Sequence, residues 1–344
     1  MMSGIKAIIS GISGTFLEDY EKEFIIEHKP WAFILFARNI GTADELKGLT
    51  TSLREISKRD DVFIFIDQEG GRVQRLRPPL APDYPVAKTL GEIYRKDQDK
   101  GLRAAWIMSR LHAFDLMKYG INANCLPVLD VPVVGAHDVI GTRAYSQDPQ
   151  VVAALGCAAA QGLLDGGVLP VIKHIPGHGR AFSDTHLELA YVDMPLDILE
   201  QSDFIPFKNL ADLPAAMTAH IVYKAIDDKL PATLSKKVIE NIIRQKIGFD
   251  GLLMSDDLSM KALSDSSLSE NLSDLTSKIF AAGCDIVLHC HGQLQEMHTV
   301  ADAAPFLEGK ALERVCSIRS KVTTPDHSNE SALREEFSSL LALV

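Results

Sequence analysis

The chain has 344 residues, of which 46 are acidic and 35 are basic, so its formal net charge is −11 with neutral histidines. This balance argues against a nucleic-acid partner, because a protein that neutralises phosphates carries clustered lysines and arginines. Hydrophobic residues make up 46% of the chain and charged residues 24%, which predicts a globular protein with a large core and argues against intrinsic disorder.

The first residues and the cysteines indicate where the protein works. The opening run MMSGIKAIISGISGTF has one lysine, a short apolar stretch and no convincing cleavage site, so we expect no signal peptide. No segment approaches the roughly 20 apolar residues of a membrane span. The five cysteines are scattered and form no CxxC pair, which favours reduced thiols. We therefore expect a cytoplasmic protein without membrane contact.

Short apolar runs alternate with helical patterns along the chain. Strands are predicted at eight apolar runs, which in chain order are residues 7–10, 32–37, 62–67, 121–130, 169–174, 216–221, 251–255 and 285–290. Amphipathic helices are predicted where apolar residues recur every three or four positions, at 43–57, 101–119, 149–164, 236–247 and 268–281. A polar stretch at 323–331 predicts a loop before a last amphipathic helix at 332–343.

Near-continuous apolar strands that are each followed by a helix are typical of a parallel sheet covered by helices. Eight such units predict a single-domain TIM (β/α)8 barrel over residues 1–322, with the loop and C-terminal helix of 323–344 packed on it. The first unit has the weakest pattern, because glycine and serine interrupt residues 7–15, and this pattern is compatible with an irregular first unit. An open, doubly wound sheet is the alternative architecture.

Polar residues stand at the ends of six predicted strands. They are Asp67, Asp130, Lys173 with His174, His220, Asp256 with Asp257, and His289 with His291. Parallel strands bring their carboxyl ends to one face of a barrel, and barrel enzymes place their catalytic groups there. The sequence therefore predicts an active site at this face. Asp130 is predicted to hold the rim together, not to bind a ligand.

The segment VIKHIPGHGRAFSDTH, which follows the fifth strand, is a polar, glycine-rich loop that is predicted to move. If its end is extended, Asp184 and His186 project to the same side, so the carboxylate can orient the imidazole and raise its pKa. A raised pKa suits a general acid near neutral pH. An ordinary surface loop is the alternative. His178, between two glycines, is predicted to order the loop through backbone hydrogen bonds.

A second candidate group lies at the ends of the third and seventh strands. A carboxylate that a buried strand delivers to the mouth of a barrel is placed to be a nucleophile or a metal ligand. Neighbours on a strand point to opposite sides, so Asp256 is predicted as the reactive carboxylate, while Asp257 is either a helix cap or a catalytic group. Asp67 has the chemistry to bind two sugar hydroxyls, and Arg75 and Arg143 are forked donors for hydroxyls, amides or carboxylates.

The motifs IDQEGGRVQR, PVLDV, IGTRAYSQDP, KHIPGHG followed by SDTH, MTAHIVY, IGFDG and SDDLSM occur in this order. Over roughly residues 30–295 they resemble the bacterial β-N-acetylglucosaminidases of glycoside hydrolase family three. The resemblance implies a cytoplasmic single-domain barrel that removes N-acetylglucosamine from cell-wall fragments carrying anhydro-N-acetylmuramic acid, often with a peptide attached. Two positions depart from the family pattern: Ile175 replaces the usual Phe in KHFPGHG, and Thr142 stands where an acidic residue usually precedes Arg143.

The resemblance also implies a role for each site residue. Asp256 is the implied nucleophile, and His186 is the implied acid/base, assisted by Asp184. The implied sugar-binding residues are Asp67, Arg75, Arg143, Lys173 and His174. The implied reaction is a retaining displacement through a covalent glycosyl-enzyme on Asp256. We expect no metal and no cofactor, a small peptidoglycan-derived carbohydrate as the partner, and a monomer.

Four alternative functions stay open on the residues alone. A neutral histidine repels an incoming anion less than a carboxylate does, so phosphate could replace water as the acceptor, which would make the enzyme a glycoside phosphorylase. A metal-dependent barrel hydrolase is the second alternative. Its ligands would be His174, His178, His220 and Asp256. The third is an aldolase with Lys173 as its Schiff-base amine. The fourth is a non-catalytic sugar sensor, although the nucleophile and the acid/base pair are all present.

Histidines away from the strand ends are predicted to have no part in catalysis. His112 lies among the apolar residues of a helix and is predicted to be a packing residue with satisfied hydrogen bonds. His28, His298 and His327 are predicted to face solvent.

Overall fold

Strands and helices alternate along the computed structural model, which describes residues 4–181, 189–263, 268–322 and 324–344. The strands are β1 (Lys6–Gly11), β2 (Pro30–Leu35), β3 (Phe63–Ile66), β4 (Gln68–Gly70), β5 (Val73–Gln74), β6 (Ala123–Asn124), β7 (Leu169–Pro170), β8 (Ile172–Ile175), β9 (Ala190–Val192), β10 (Ala215–Thr218), β11 (Ile221–Tyr223), β12 (Leu252–Asp257) and β13 (Ile286–His289). The α-helices are α1 (Asp19–His28), α2 (Ala43–Ser57), α3 (Ala87–Lys96), α4 (Gln98–Met117), α5 (Pro149–Asp165), α6 (Leu196–Glu200), α7 (Phe204–Asn209), α8 (Leu272–Ala282), α9 (Leu294–Ala303), α10 (Gly309–Lys321) and α11 (Glu330–Leu341). A further helix with π-type hydrogen bonding spans Val238–Ile247.

The main sheet is a ring of parallel strands. Its order is β7-β6-β3-β2-β1-β13-β12-β10-β8, and every pair of neighbours is parallel. Only Val171 separates β7 from β8, and Val128, which follows β6, pairs in parallel with Lys173 of β8. The two ends of the order are thus one continuous strand, and the ring closes around eight strand positions. The predicted barrel is confirmed, and the open sheet with two free edges is not formed.

The alternating side chains of each strand fill two apolar layers. Ile9 of β1 and Phe65 of β3 belong to a cluster that draws on every strand of the ring, which is the interior of the barrel. Their neighbours Ile8 and Ile64 belong to the cluster shared with the surrounding helices. Because both faces of each strand are buried, the strands have near-continuous apolar sequences. Helix α10 contributes to the inner cluster and covers the N-terminal end of the barrel.

The first and fourth units differ from the sequence pattern. In the first unit, β1 runs through Ser10 and Gly11, and its register against β2 shifts between Lys6 and Ile9. Ser13 and Gly14 lie in the loop between β1 and α1. Glu21 of α1 secures this loop by accepting hydrogen bonds from the backbone N–H groups of Ser13 (2.8 Å) and Glu18 (3.0 Å). In the fourth unit the regular strand β6 is short and ends at Asn124. Hydrogen bonds to the neighbouring strand continue beyond it: the Val171 N–H donates to the Leu126 carbonyl at 3.0 Å, and the Lys173 N–H donates to the Pro127 carbonyl at 3.1 Å.

The C-terminal helix α11 packs against α3 and α4. Leu333 and Phe337 are buried in this contact. Arg334 donates to Asp115 at 2.7 Å, and the Tyr84 hydroxyl donates to the other oxygen of Asp115 at 2.5 Å. Glu336 of α11 also accepts two hydrogen bonds from Arg103 of α4, each at 2.7 Å, so the helix is held by an apolar face and two ion pairs. The division into a barrel of residues 1–322 and an appended segment 323–344 stays a prediction.

His112 of α4 is buried beside this contact. Its ring lies edge-on to that of Tyr84, with 4.3 Å between the ring centroids. Neither of its ring nitrogens has a hydrogen-bond partner among the described residues. The prediction that His112 is a packing residue is confirmed, whereas the prediction of satisfied hydrogen bonds is wrong.

We expect His112 to make the fold sensitive to acid. Burial, with a smaller contribution from Arg334, lowers the pKa of His112 to about 3, whereas histidine in an unfolded chain titrates near about 6.5. Between these two pH values His112 is protonated in the unfolded chain and neutral in the folded chain. The free energy of unfolding therefore falls by about 1.4 kcal/mol for each unit by which the pH is lowered. In chemical unfolding from pH 7 to pH 4, His112→Phe should lose stability less steeply than wild type. The exposed-site control His327→Ala should follow wild type, and an unchanged slope in His112→Phe would contradict the assignment.

The described part of the chain contains neither a disulfide nor a helix that is long and apolar enough to cross a membrane. Of the five free cysteines, Cys157 and Cys316 are exposed and three are buried. Cys125 and Cys290 belong to the apolar cluster inside the barrel, where they pack as small hydrophobic residues.

Candidate active site

A cluster of charged side chains lies where the barrel strands end. Asp67 directly follows β3, Lys173 and His174 belong to β8, and Asp256 is the penultimate residue of β12. Arg75 directly follows β5. Because the ring is parallel, these ends share one face of the barrel. The other predicted site residues are Arg143, in a loop after the fourth strand of the barrel, and the pair Asp184 and His186, which lies outside the described residues.

Two carboxylates and three cations form a largely buried network at this face, in which Asp67 and Arg75 are partly exposed. The ammonium of Lys173 lies 2.9 Å from Asp67 and 2.7 Å from Glu69. Arg75 pairs with Asp67 at 3.1 Å. Arg143 donates to both oxygens of Glu69, each at 2.8 Å. Lys173 is thus the link between two carboxylate–arginine pairs.

Glu69 is a member of this network that the sequence analysis missed. It is 5% exposed and accepts from both Arg143 and Lys173, so it positions two of the predicted sugar-binding residues. A signal for it exists in the motif DQEGGR, because Asp67 and Glu69 are two positions apart and project to the same side of an extended chain.

The network keeps Lys173 protonated. Burial alone would lower the pKa of Lys173, but Asp67 and Glu69 outweigh burial and raise it. In the same way, burial acts to raise the pKa of Glu69, but Arg143 and Lys173 together hold it at about 2. A Schiff-base lysine must lose its proton before it attacks a carbonyl group. The raised pKa of Lys173 therefore argues against the aldolase alternative.

Asp130 orients His174 and the backbone that follows it. This fully buried carboxylate lies 2.7 Å from Nδ1 of His174 and accepts from the backbone N–H of His178 at 2.7 Å. Burial acts to raise the pKa of Asp130, but His174 and His178 outweigh it and lower the pKa to about 2. An ionised Asp130 accepts from Nδ1–H, which leaves Nε2 as the functional nitrogen of His174. As predicted, Asp130 holds segments of the rim together.

Asp256 lies beside two histidines and is held as a carboxylate. Burial acts to raise the pKa of Asp256, but His220 and His174 outweigh burial and lower it. One oxygen of Asp256 accepts from the backbone N–H of Asp257 at 2.8 Å. His220 is fixed by Thr233 at 2.7 Å and by the Asp257 carbonyl at 3.0 Å. The ionised carboxylate that a nucleophile requires is therefore present at neutral pH.

Asp257 has a different role from its neighbour. Its Oδ1 accepts from the backbone N–H of Cys290 at 3.0 Å and from that of Ser259 at 3.2 Å. The next α-helix, α8, is capped by the side chain of Asn271 instead. Asp257 thus ties the end of β12 to the end of β13, and it is not a helix cap.

Both flanks of the segment that carries Asp184 and His186 are fixed to this face. Before the segment, Arg180 pairs with the buried Asp203 at 2.6 Å. A Cβ atom at Gly179 would lie 2.0 Å from the Val131 carbonyl oxygen, so only glycine fits there. After the segment, β9 pairs in parallel with β11. The described residues on both sides of this segment are therefore held in place by their own contacts.

A cavity of about 880 Å³ lies beside Arg143. Thr142 and Ala144, the neighbours of Arg143, line it together with α3 and the loop 132–138. This loop follows the fourth strand, so the cavity is on the side of the barrel where the strands end. It offers space next to the charged cluster for a larger part of a ligand.

Most of the chain matches the sequence pattern of one protein family. Residues 12–318 match the glycosyl hydrolase family 3 N terminal domain. The chain belongs to glycoside hydrolase family 3. This family 3 chain is 36% identical over 289 residues to a β-hexosaminidase from Hydrogenovibrio crunogenus, which covers 83% of this chain and 78% of that protein.

Solved structures of the same family share the fold. NagZ from Neisseria gonorrhoeae in complex with N-trifluoroacetyl-D-glucosamine has a TM-score of 0.86 at 30% identity, over 99% of this chain and 98% of that chain. A family 3 β-N-acetylglucosaminidase from a Paenibacillus species has a TM-score of 0.85 at 27% identity, over 97% of this chain and 67% of that chain. This family 3 chain is thus a glycoside hydrolase of the β-N-acetylhexosaminidase class, as the motif resemblance predicted.

Proposed function

We propose that this family 3 chain is a retaining exo-β-N-acetylglucosaminidase. Its substrate would be a peptidoglycan fragment, terminal N-acetylglucosamine linked to anhydro-N-acetylmuramic acid with or without peptide. The observation that carries the proposal is Asp256, an ionised carboxylate at the end of a buried barrel strand, beside His174 and His220. The β-hexosaminidase relatives support the choice of sugar.

In the first step of the proposed mechanism, the Asp256 carboxylate attacks the anomeric carbon. Protonated His186 gives its proton to the leaving oxygen, so the glycosidic bond breaks as the ester bond to Asp256 forms. In the second step, neutral His186 takes a proton from water, and the oxygen of that water displaces Asp256. Asp184 orients His186 and stabilises its charged form. Both steps use side chains of the chain itself.

The charged network supports binding of the non-reducing sugar. Asp67 accepts from Lys173 and Arg75, and a carboxylate has lone pairs for further hydroxyl donors. Lys173 and Arg143 are held by Glu69, and His174 is held by Asp130. Because these groups are fixed before the sugar arrives, little side-chain entropy is lost on binding.

The proposal extends to the leaving group and to the place of the reaction. The cavity beside Arg143 has room for the second sugar and an attached peptide. The free cysteines suit a reducing compartment, so we place the reaction in the cytoplasm. The substrate is small enough to be bound by one copy of the chain, and we propose a monomer.

The test is hydrolysis of 4-nitrophenyl N-acetyl-β-D-glucosaminide and of the cell-wall disaccharide, each with and without phosphate. We expect turnover of both substrates, free N-acetylglucosamine as the product and no dependence on phosphate. A sugar 1-phosphate would instead show a phosphorylase. A folded protein that turns over neither substrate would contradict the proposal and favour the sugar sensor.

His186→Ala is expected to separate the two substrates. Loss of a general acid costs about 10²- to 10⁴-fold in rate when the leaving group needs a proton. The 4-nitrophenolate ion leaves without protonation, so cleavage of that substrate should be affected less than cleavage of the disaccharide. The measurement is kcat/KM for both substrates in His186→Ala and wild type. Equal losses on both would contradict the acid role of His186.

A further inference from the structure

Two histidines meet in the seam between the first and last helices of the barrel ring. His28 is the last residue of α1, and His298 lies in the middle of α9. His28 is 6% exposed, so the prediction that it faces solvent is wrong. The ring of Phe24 packs against both imidazoles, with centroid distances of 4.9 and 5.3 Å. The two rings are therefore held in a defined place.

The polar atoms of this cluster converge on one point. Nε2 of His28 lies 2.8 Å from Nδ1 of His298 and 3.8 Å from a carboxylate oxygen of Glu27. One ligand atom from each of these three residues lies within 4.8 Å of the other two. Among the described residues this is the one group of three or more histidines, cysteines and carboxylates with such spacing.

We propose that Glu27, His28 and His298 bind a divalent transition-metal ion, which we assign as Zn²⁺. Imidazole nitrogen and carboxylate oxygen are common zinc ligands, at about 2.0–2.2 Å. Two such ligands on a tetrahedral ion are separated by about 3.3 Å. Reaching this geometry requires the His28–His298 distance to open by about 0.5 Å and the His28–Glu27 distance to close by about 0.5 Å. The third separation, between Glu27 and His298, is at most 4.8 Å and must also approach this value. Water takes the fourth position.

The proton arrangement of His28 fits the same assignment. Without metal, one imidazole donates its N–H to the other across the 2.8 Å contact. With metal, Nε2 of His28 gives its lone pair to the ion, and the proton moves to Nδ1. That nitrogen lies 3.9 Å from Asp302, a 73% exposed carboxylate, and a shift of about 1 Å would let Asp302 accept this N–H and orient the metal-bound histidine. The ammonium of Lys6 lowers the pKa of His28, and it donates a hydrogen bond to the Ala304 carbonyl at 2.7 Å.

The proposed metal site would stabilise the fold and would take no part in the reaction. His28 lies just before β2 begins at Pro30, so the cluster is toward the N-terminal end of the barrel, away from Asp256. Helices α1 and α9 belong to the first and last units of the ring. These two units are neighbours in the ring but lie far apart along the chain. A bound ion would fasten this seam and would stabilise the closed barrel.

Calorimetric titration of the metal-free protein with ZnCl₂ tests the proposal. We expect one ion per chain in wild type and a dissociation constant at least about 100-fold weaker in His298→Ala, since a ligand is lost. His327→Ala, an exposed histidine outside the cluster, is the matched control and should bind as wild type does. At zinc 100 times the dissociation constant, the Tm of wild type should rise by about 4 °C, and that of His298→Ala should not.

Further variants keep the result decisive. Glu27→Gln changes a side chain that is 66% exposed, so it tests the site even if His298→Ala does not fold, and we expect weaker zinc binding. Asp256→Asn should retain the zinc ion, which separates this site from the catalytic face. Co²⁺ should show the visible absorption of a four-coordinate ion in wild type and not in His298→Ala. No zinc binding by wild type, or binding by both cluster variants that is as tight as in wild type, would overturn the proposal.

Discussion

Asp256→Asn is expected to abolish hydrolysis of 4-nitrophenyl N-acetyl-β-D-glucosaminide, with kcat lowered by about 10⁴-fold or more. An amide oxygen cannot form the ester to the anomeric carbon that the proposed mechanism requires. Asparagine has the same shape, and its amide oxygen can still accept from the Asp257 N–H, so the fold should be preserved. The measurement is kcat for both proteins, with the Tm as a check on folding.

The neighbouring carboxylate is the matched control for this experiment. Asp257 ties β12 to β13, so Asp257→Asn should lower stability and retain kcat within about 10-fold. A smaller variant, Asp256→Ala, leaves space for azide at the face of the sugar that Asp256 would attack. We expect azide to restore turnover and to produce the α-glycosyl azide. Wild-type activity in Asp256→Asn, or an equal loss in Asp257→Asn, would contradict the nucleophile assignment.

Lys173→Met is expected to have the largest effect on stability. Lys173 is 2% exposed and neutralises both Asp67 and Glu69, and methionine leaves the buried Glu69 and the partly buried Asp67 with only one arginine each. Breaking a buried ion pair by removing one partner costs about 3–5 kcal/mol. Because Arg75 and Arg143 remain, we expect the lower value, which corresponds to a Tm lowered by about 4 °C.

The pH dependence of this loss identifies its cause. Without Lys173 the pKa values of Asp67 and Glu69 rise, so acid neutralises the unpaired carboxylates, and the stability difference from wild type should shrink as the pH falls. The control is Lys224→Met, which breaks an exposed pair with Asp193 and should lower the free energy of unfolding by less than about 1 kcal/mol. A pH-independent loss in Lys173→Met would show that lost packing, and not charge, is the cause.

The barrel could be predicted because its elements are specified locally. Helix α2 spans Ala43–Ser57, as the apolar spacing predicts, and it begins at a capping box in which Thr42 and Glu45 bond to each other's backbone. The strands are apolar runs that are buried on both faces, and the polar residues at their ends mark the predicted catalytic face. Repetition of this pattern along the chain leaves a closed parallel ring as the consistent arrangement.

The sequence by itself thus determined the fold class and, through the motifs, the family, and it predicts which face of the barrel carries the chemistry. Only the tertiary structure decided which groups are partners: Glu69 joins Arg143 and Lys173, and His28 meets His298 across 270 positions of the chain. Local spacing specifies which side of a strand or helix a residue takes, because backbone geometry repeats over a few residues. Burial and ion pairing between distant residues depend on how complete helices and strands pack, and that information is not present in any one segment.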